Sequence, residues 1–372
     1  MVKEQHMSIL IYSSSAQRLY SHSMKNSLSL PSSFKKLTIS DMDSAEKKDV
    51  PGLYALKVLC ALFVVMIHVP VIGKETLSPI IRIAVPCFYL ISGFFLYADN
   101  EQKEIKRAWK WIKKTLLITI LINLFYFLVW YRFSFSVGHV KGIIKAVVTG
   151  ESIAYHLWYL TAMWQALIIF VIIRRYLPAC LIYFAPTLIL LNLLLGRYII
   201  IFYHGDYTLA QYVRLNCFSV ALPCICLGYL LKKYICILSE FKYWWIMLFV
   251  FIVCIYGEEL MLRTYFINNN VSYSLFTLPI ATCIFLAFYQ GVKAAPSWIL
   301  QIGKKHSANI YYFHVFISVY LAAIFRKIFN IDISSIQALL VFLACIVFSF
   351  ILRALYAKLL SVIALKMGKL SS

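Results

Sequence analysis

The sequence predicts an all-α, polytopic integral membrane protein, a bundle of about ten transmembrane helices. Hydrophobic residues make up 62% of the 372-residue chain and charged residues only 14%, and the mean hydropathy is +0.80. A soluble fold of this length would need a charged surface, so the excess of apolar side chains indicates that lipid surrounds the protein. Apolar runs also recur along the chain, several of them close to the roughly 20 residues that cross a bilayer.

The chain divides into three predicted parts. Residues 1–50 are rich in Ser and carry mixed charges, which predicts a mobile cytoplasmic tail. Residues 51–360 form the transmembrane domain, and residues 361–372 form a basic cytoplasmic tail. The apolar runs predict spans over 53–72, 80–97, 115–131, 157–173, 178–195, 213–231, 243–257, 273–291, 308–325 and 335–357.

The distribution of Lys and Arg predicts the orientation of these spans. Cytoplasmic loops carry an excess of both residues. With ten spans and the N-terminus inside, 25 of the 36 Lys and Arg residues fall on the cytoplasmic side and 9 on the outer side. An odd number of spans would move the C-terminal basic residues outside and weaken this bias. Both termini are therefore predicted to be cytoplasmic, in a multi-pass protein of the cell (inner) membrane.

The composition and the motifs argue against several other classes of protein. The net charge of +21 is spread over short basic clusters between apolar runs, and no nucleic-acid recognition module is visible. The ten cysteines form no CxxC pair and are interpreted as small buried hydrophobes. No metal is predicted, because His68, His156, His204 and His314 are scattered along the chain without ligand spacing. There is also no GxSxG nucleophile motif.

The first span contains two ionisable residues, Lys57 and His68. Such residues are costly inside a membrane, so each is a candidate for a functional site. Their spacing of 11 residues corresponds to about three helical turns plus about 20°, which places both on one face about 16 Å apart. The cation could hold an anionic group and the imidazole could take a proton from a hydroxyl. On spacing alone, an equal alternative is that Lys57 extends to the headgroups and that His68 only bonds a neighbouring helix.

The second span begins with a basic residue and contains three helix-modifying residues. Arg82 lies near its start and is typical of a headgroup anchor. Pro86, Ser92 and Gly93 predict a helix that bends and lets a neighbouring helix approach closely. By itself this segment is a weak indication of chemistry.

Five short elements of the sequence, taken in order, share a likeness to a known family. They are Lys57 with His68; Arg82 with Pro86, Phe88, Ser92, Gly93 and Phe94; His156 to Leu160; Arg214 with Pro223, Gly228 and Tyr229; and Gly303 and Lys304 with Ser307, Ile310, Tyr311 and His314. Together they resemble the membrane acyltransferase family 3, the O-acyltransferases of bacterial surface polysaccharides and related glycans. The resemblance covers about residues 50–355. One departure is Lys57, since the family more often has Arg, whose guanidinium binds phosphate through two parallel hydrogen bonds.

The resemblance implies a donor and an acceptor. The donor would be a cytoplasmic acyl-CoA, with acetyl-CoA as the default co-substrate and no other cofactor, and the acceptor a sugar of a cell-surface glycan or lipid-linked sugar. In this hypothesis His68 is the general base, or a transient acyl carrier. Lys57 and Arg82 bind the donor phosphate or stabilise negative charge, and Ser92 and Gly93 shape the passage for the acyl-pantetheine arm.

Three accessory residues are expected near the acceptor or in the core. His156 and Trp158 could contact the acceptor near the outer surface, since the face of a Trp suits a sugar ring; an ordinary interfacial aromatic is the favoured alternative. His314 could orient a partner in the core, and a structural role is equally compatible with its position.

Further accessory candidates lie on the predicted outer side. Arg214 belongs to the acceptor-binding or accessory set. Glu258 and Glu259 could bind sugar hydroxyls, but a solvated pair in a loop is the favoured interpretation of these two carboxylates.

Two other functions remain open. A polytopic transporter or flippase of glycans or glycolipids would use the buried basic and imidazole face to guide an anionic lipid headgroup, without covalent chemistry. A membrane sensing domain is a third interpretation, which the absence of a domain after the last span disfavours.

Overall fold

The computed structural model describes residues 50–130, 141–142, 153–199, 216–266 and 273–370, and every regular element among them is helical. This confirms the predicted all-α fold class. The longer helices are α1 (Pro51–His68), α2 (Lys74–Ile81), α3 (Ala84–Leu96), α4 (Glu101–Trp130), α5 (Trp158–Tyr176), α6 (Leu181–Arg197), α7 (Leu222–Lys233), α8 (Trp244–Phe266), α9 (Thr277–Gly291), α10 (Ser297–Phe329) and α11 (Gln337–Leu370).

Seven segments of the described chain are long and apolar enough to cross a membrane. They are α1, α2 together with α3, α4, α5, α8, α10 and α11, while α6 and α9 are shorter apolar helices. Each of the ten predicted spans overlaps one of these helices or α7, and the first residues of the span over 213–231 lie outside the described residues. The multi-pass character is therefore confirmed, whereas the number of crossings and the side on which the termini lie stay predictions.

The outward surface of α11 shows why lipid, and not water, fits the outside of the bundle. Leu339, Leu343 and Val347 recur at helical spacing and are 54%, 50% and 59% exposed. Phe350 and Ile351 continue this exposed apolar face. An apolar stripe of this length on one helix would be an aggregation surface in water, but it is the surface expected against acyl chains.

The helix α1 lies at the centre of the bundle, where it packs against α3, α9 and α10. Pro51 occupies its first position, where a missing backbone N–H is tolerated. The helix ends at His68 because Val69 adopts an extended conformation (φ −115°, ψ 144°), as is usual for a residue that precedes a proline. Below, the two ends of the bundle are called the Lys57 end and the His68 end.

Glycines set the closest approaches between helices. A Cβ atom at Gly93 of α3 would overlap the carbonyl of Ile225 in α7, and a Cβ at Gly228 of α7 would overlap the carbonyl of Leu90 in α3. The two backbones thus touch through a reciprocal pair of glycines, as small residues allow in membrane helix pairs. This confirms the close approach predicted around Gly93, and the predicted bend corresponds to the interruption between α2 and α3, just before Pro86.

A buried polar cluster joins α4, α5 and α7. Glu104 is 1% exposed, and its carboxylate accepts hydrogen bonds from Arg174 Nε (2.9 Å), the Tyr229 hydroxyl (2.9 Å) and the backbone N–H of Ala98 (3.2 Å). Arg174 also lies 3.7 Å from the more exposed carboxylate of Glu101. We call these groups the Glu104 cluster. Since both carboxylate oxygens of Glu104 have partners, the cluster is suited to fixing three helices relative to one another.

Candidate active site

The face of α1 that carries Lys57 also lines a passage toward His68. Lys57 lines two adjoining cavities, of about 190 Å³ and 390 Å³. Val64, two turns further along the same face, lines the smaller cavity. His68 follows Val64 by one more turn, so the smaller cavity leads from the cation toward the imidazole and ends short of it.

The larger cavity is basic and aromatic. Lys57 shares its lining with Lys114 of α4 and Lys304 of α10, and Trp111 adds an indole ring. Among the described residues that line the two cavities there is no Asp or Glu. Three ammonium groups without a carboxylate make a site for a ligand with several negative charges, and an indole face suits a planar ring.

Aromatic rings hold two of these lysines at the cavity. The Nζ atom of Lys57 lies 5.8 Å from the ring centroid of Tyr54 and 5.9 Å from that of Phe95. Lys304 Nζ lies 5.5 Å from the same Tyr54 ring. Lys304 belongs to a π-helical turn, Ile302–His306, and π-helical turns are frequent at functional sites.

At the other end of α1, three histidines that are far apart in the sequence lie together. The ring centroids of His68 and His314 are 5.2 Å apart, those of His68 and His156 are 6.0 Å apart, and those of His156 and His314 are 4.8 Å apart. His156 belongs to the turn Tyr155–Leu157 that precedes α5, and His314 belongs to α10. We call these three residues the histidine cluster.

The two inner histidines are buried and incompletely bonded. His156 is 1% exposed and His314 is fully buried. His314 Nδ1 lies 2.8 Å from the carbonyl oxygen of Tyr311 and 3.2 Å from that of Ile310, so this nitrogen carries the proton and Nε2 has a free lone pair. Within the described chain, His314 Nε2 has no hydrogen-bond partner, and the ring nitrogens of His156 make no well-formed hydrogen bond, although the backbone of Tyr312 lies near one of them.

Two tyrosines of the smaller cavity pack against each other, and one of them, Tyr311, also contacts the histidine cluster. Tyr159 and Tyr311 both line this cavity, and their ring centroids are 5.2 Å apart. The Tyr311 hydroxyl donates a hydrogen bond to the carbonyl of His156, and the Tyr89 hydroxyl donates one to the carbonyl of Tyr159 at 3.0 Å. These bonds fix the chain around His156 against α3 and α10.

The His68 end is also partly open. Tyr155 is 59% exposed, and its ring packs edge-on against His68 at a centroid distance of 5.1 Å. Lys74 and Arg82 lie close enough to act electrostatically on His68. The Nζ atom of Lys74 donates to the carbonyl of Val69 at 3.4 Å.

The candidate residues of the second span do not all lie at one site. Ser92 lines both cavities, and its role at a donor passage stays a prediction. Gly93 instead faces α7, so the structure assigns it to helix packing and not to the passage. Arg82 lies at the end of α2, where its Nε donates to Ser78 Oγ at 3.2 Å. Because Arg82 lies near His68 and not near Lys57, the two cannot clamp one phosphate together.

The residues expected to contact the acceptor do not lie together either. His156 joins the histidine cluster, whereas Trp158, the first residue of α5, packs against the apolar core. Tyr155 is the exposed aromatic ring that meets His68. Arg214 falls outside the described residues.

Glu258 and Glu259 do not form a solvated loop, because α8 continues to Phe266 and carries both. Glu258 is 8% exposed. It accepts a hydrogen bond of 2.6 Å from the Tyr198 hydroxyl and pairs with Arg197 at 3.5 Å. Glu259 pairs with Arg197 as well. Burial and the bond to Glu258 raise the pKa of Tyr198, so its hydroxyl stays protonated and donates.

Comparison with known proteins adds a family to this geometry. The model of the acyltransferase domain of acyltransferase family 3 matches residues 50–356. The chain is also similar to a serine/alanine racemase of Enterococcus gallinarum, with 30% identity over 126 residues that make up 30% of this chain and 18% of the relative.

Two amino-acid racemases of Enterococcus faecalis are similar over longer segments. One is 26% identical over 70% of this chain and 39% of its own length, and the other is 24% identical over 83% of this chain and 46% of its own length. The chain thus spans less than half of the length of these curated relatives. No solved structure matches the chain.

Proposed function

The chain belongs to acyltransferase family 3, and we propose that it is a membrane O-acyltransferase that moves an acyl group from a cytoplasmic acyl-CoA to a hydroxyl of a cell-surface glycan or lipid-linked sugar. Acetyl is the proposed group, and acetyl-CoA is then a co-substrate and not a bound cofactor. The proposed location is the cell (inner) membrane, with the Lys57 end toward the cytoplasm.

One observation carries this proposal: a single central helix joins a basic cavity to an imidazole. Lys57, Lys114 and Lys304 surround the larger cavity and would bind the phosphates of the donor. The smaller cavity continues along α1 past Ser92 to Val64. A pantetheine arm in this passage would bring its thioester toward the turn of α1 that carries His68.

The acceptor would enter from the opposite side, at the His68 end. Here His68 is half-buried and Tyr155 is exposed beside it. His68 would act as general base and remove the proton of the acceptor hydroxyl while its oxygen attacks the thioester carbonyl. The new O–C bond forms, the C–S bond breaks, and the thiolate of CoA leaves toward the cavity, where it regains a proton.

The names of the racemase relatives are not carried over to this chain. Those activities are named for proteins of which the chain covers 18%, 39% and 46%. The family match spans residues 50–356, which include both cavities and the histidine cluster. Acyl transfer is therefore the activity that these residues support best.

The test is acyl transfer from radiolabelled acetyl-CoA by the purified full-length protein. Membranes of a strain that lacks the gene supply the acceptor, and label in the glycan and glycolipid fractions is measured. We expect the wild type to transfer label and His68→Ala to be slower by about 10²- to 10⁴-fold, with unchanged binding of acetyl-CoA.

Two results would contradict the proposal. Transfer by His68→Ala at the wild-type rate would remove His68 from the chemistry. Movement of a glycolipid across vesicles of the purified wild type, with no covalent labelling, would favour the transporter.

A further inference from the structure

The histidine cluster contains more buried, unsatisfied nitrogen atoms than a structural role explains. His314 Nε2 has no partner in the described chain, and neither ring nitrogen of His156 makes a well-formed hydrogen bond there, although the backbone of Tyr312 lies near one of them. Leaving a buried polar group unpaired costs roughly 1–3 kcal/mol. Exceptions of this kind in a protein interior require a reason, such as a ligand or a role in catalysis.

The spacing of the rings allows a proton to pass between them. Two imidazoles that share an N–H···N bond of about 3 Å have ring centroids about 5 Å apart. His68 and His314 are separated by 5.2 Å, and His314 and His156 by 4.8 Å. The rings are thus at bonding separation but not aligned, a common state of catalytic hydrogen bonds before the substrate binds.

His314 is oriented to receive a proton. Its Nδ1–H is directed at the carbonyl oxygens of Tyr311 and Ile310, which leaves Nε2 as the acceptor. If Nε2 is protonated, the positive charge on the ring strengthens the bonds that Nδ1–H already makes to these two carbonyls.

The groups around His68 favour transfer of the proton to a deeper position. Lys74 and Arg82 both act on His68 electrostatically, so a positive charge retained there is repelled. The other neighbours of the cluster, Tyr155, Tyr126 and Tyr311, carry neutral rings. His314 lies on α10, deeper in the protein interior than His68.

We propose that the proton lost by the acceptor hydroxyl passes through His68 to His314, and that His156 shares it. This inference rests on the proposed acyl transfer. The acceptor O–H bond breaks as the O–C bond to the acyl group forms and the C–S bond of the thioester breaks. The proton moves from the acceptor oxygen to His68 and from His68 to His314 Nε2. The proton is finally transferred to the CoA thiolate, so the cluster is neutral again after each turnover. His314 acts through His68 and is a positioning residue for the proton.

Two variants of His314 separate this role from a structural one. His314→Asn keeps a donor near Nδ1 for the two carbonyls but has no group at Nε2. His314→Gln places an amide near Nε2, which cannot take up a proton. Full-length protein is used with labelled acetyl-CoA, and turnover is expressed per mole of acetyl-CoA bound, so that only folded protein is counted.

We expect kcat to fall at least about tenfold in both variants, while KM for acetyl-CoA stays within about twofold, since the donor lies at the other end of α1. The matched control is His306→Asn. His306 is a buried histidine of the same helix region, bonded to Ser349 Oγ at 2.7 Å, and its variant is expected to keep the wild-type kcat.

The outcomes distinguish the relay from the activity on which it rests. If the wild type transfers label and His314→Asn turns over at the wild-type rate, the relay is wrong and the acyltransferase proposal stands. If both substitutions lower donor binding together with kcat, His314 is structural and the relay is again wrong. If the wild type transfers no label, both proposals fall.

Discussion

Two buried polar clusters in this protein are built in opposite ways. In the Glu104 cluster, an acid, a guanidinium, a phenol and a backbone N–H satisfy one another, with distances of 2.9–3.2 Å to the carboxylate. In the histidine cluster, three imidazoles meet at centroid distances of 4.8–6.0 Å, and three ring nitrogens make no well-formed hydrogen bond in the described chain. Glu104, His156 and His314 are all at most 1% exposed.

Under the proposed function, the difference separates a cluster that stabilises the fold from a cluster that is suited to react. A satisfied network lowers the free energy of one arrangement of helices, and its bonds leave nothing for a substrate to use. An unsatisfied cluster raises the free energy of the folded state and retains free lone pairs and N–H groups. Changes in the first cluster should therefore appear in stability, and changes in the second in turnover.

The largest predicted effect on stability comes from the Glu104 cluster. Glu104→Gln removes the charge that pairs with Arg174 and leaves this guanidinium, 15% exposed, without its closest counter-ion. We expect the free energy of unfolding to fall by about 3 kcal/mol, at the low end for a broken buried pair, because Glu101 remains nearby. The measurement is an SDS titration of the protein in detergent micelles.

Glu101→Gln is the matched control for this prediction. It removes the other carboxylate near Arg174, which is 50% exposed and 3.7 Å away, and should cost no more than about 1 kcal/mol. Turnover per mole of folded protein should be unchanged in both variants. A loss of turnover in Glu104→Gln without a loss of stability would erase the distinction between the two clusters.

A smaller effect is expected at the Lys57 end, where donor binding can be tested without touching either cluster. Lys57→Met removes one of three ammonium groups at the larger cavity and should raise KM for acetyl-CoA about tenfold, the loss expected for one charge-assisted bond of about 1.5 kcal/mol. Lys57→Arg keeps the charge and should stay within about threefold of the wild type. Equal donor affinity in all three proteins would show that the basic cavity does not hold the donor.

The sequence was sufficient for the fold class and for the axis of the site. Hydropathy runs located the helices because a helix in lipid needs about 20 apolar residues. Helical periodicity placed Lys57 and His68 on one face of α1, since 11 residues are close to a whole number of turns. Both inferences depend only on local chain geometry.

Contacts between distant segments were not accessible in the same way. His156 and His314 belong to different helical segments far apart in the sequence, and nothing in their spacing indicates that their rings lie 4.8 Å apart. The sequence predicts that Gly93 shapes the donor passage, but packing with Gly228 decides which face of α3 meets α7. The sequence indicates Lys304 only as part of a motif. In the structure its neighbour Gly303 allows α10 to approach the backbone of Tyr54, beside the cavity that Lys304 lines.

The smallest predicted effect concerns Tyr155, an exposed ring that contacts the histidine cluster. It is 59% exposed. It belongs neither to the Glu104 cluster nor to the residues that line the donor cavity, so its removal should alter only the approach to His68. An aromatic ring beside the base gives a sugar an apolar face to rest on, and Tyr155→Ala should raise KM for the glycan acceptor about threefold, at the low end for a contact with an aromatic ring. Tyr155→Phe keeps the ring and should restore the wild-type KM, because the face and not the hydroxyl makes the contact. If instead Tyr155→Ala changes KM for acetyl-CoA, the donor and the acceptor do not enter from opposite ends of α1, and the contrast between a basic donor cavity and a reactive histidine end has to be abandoned.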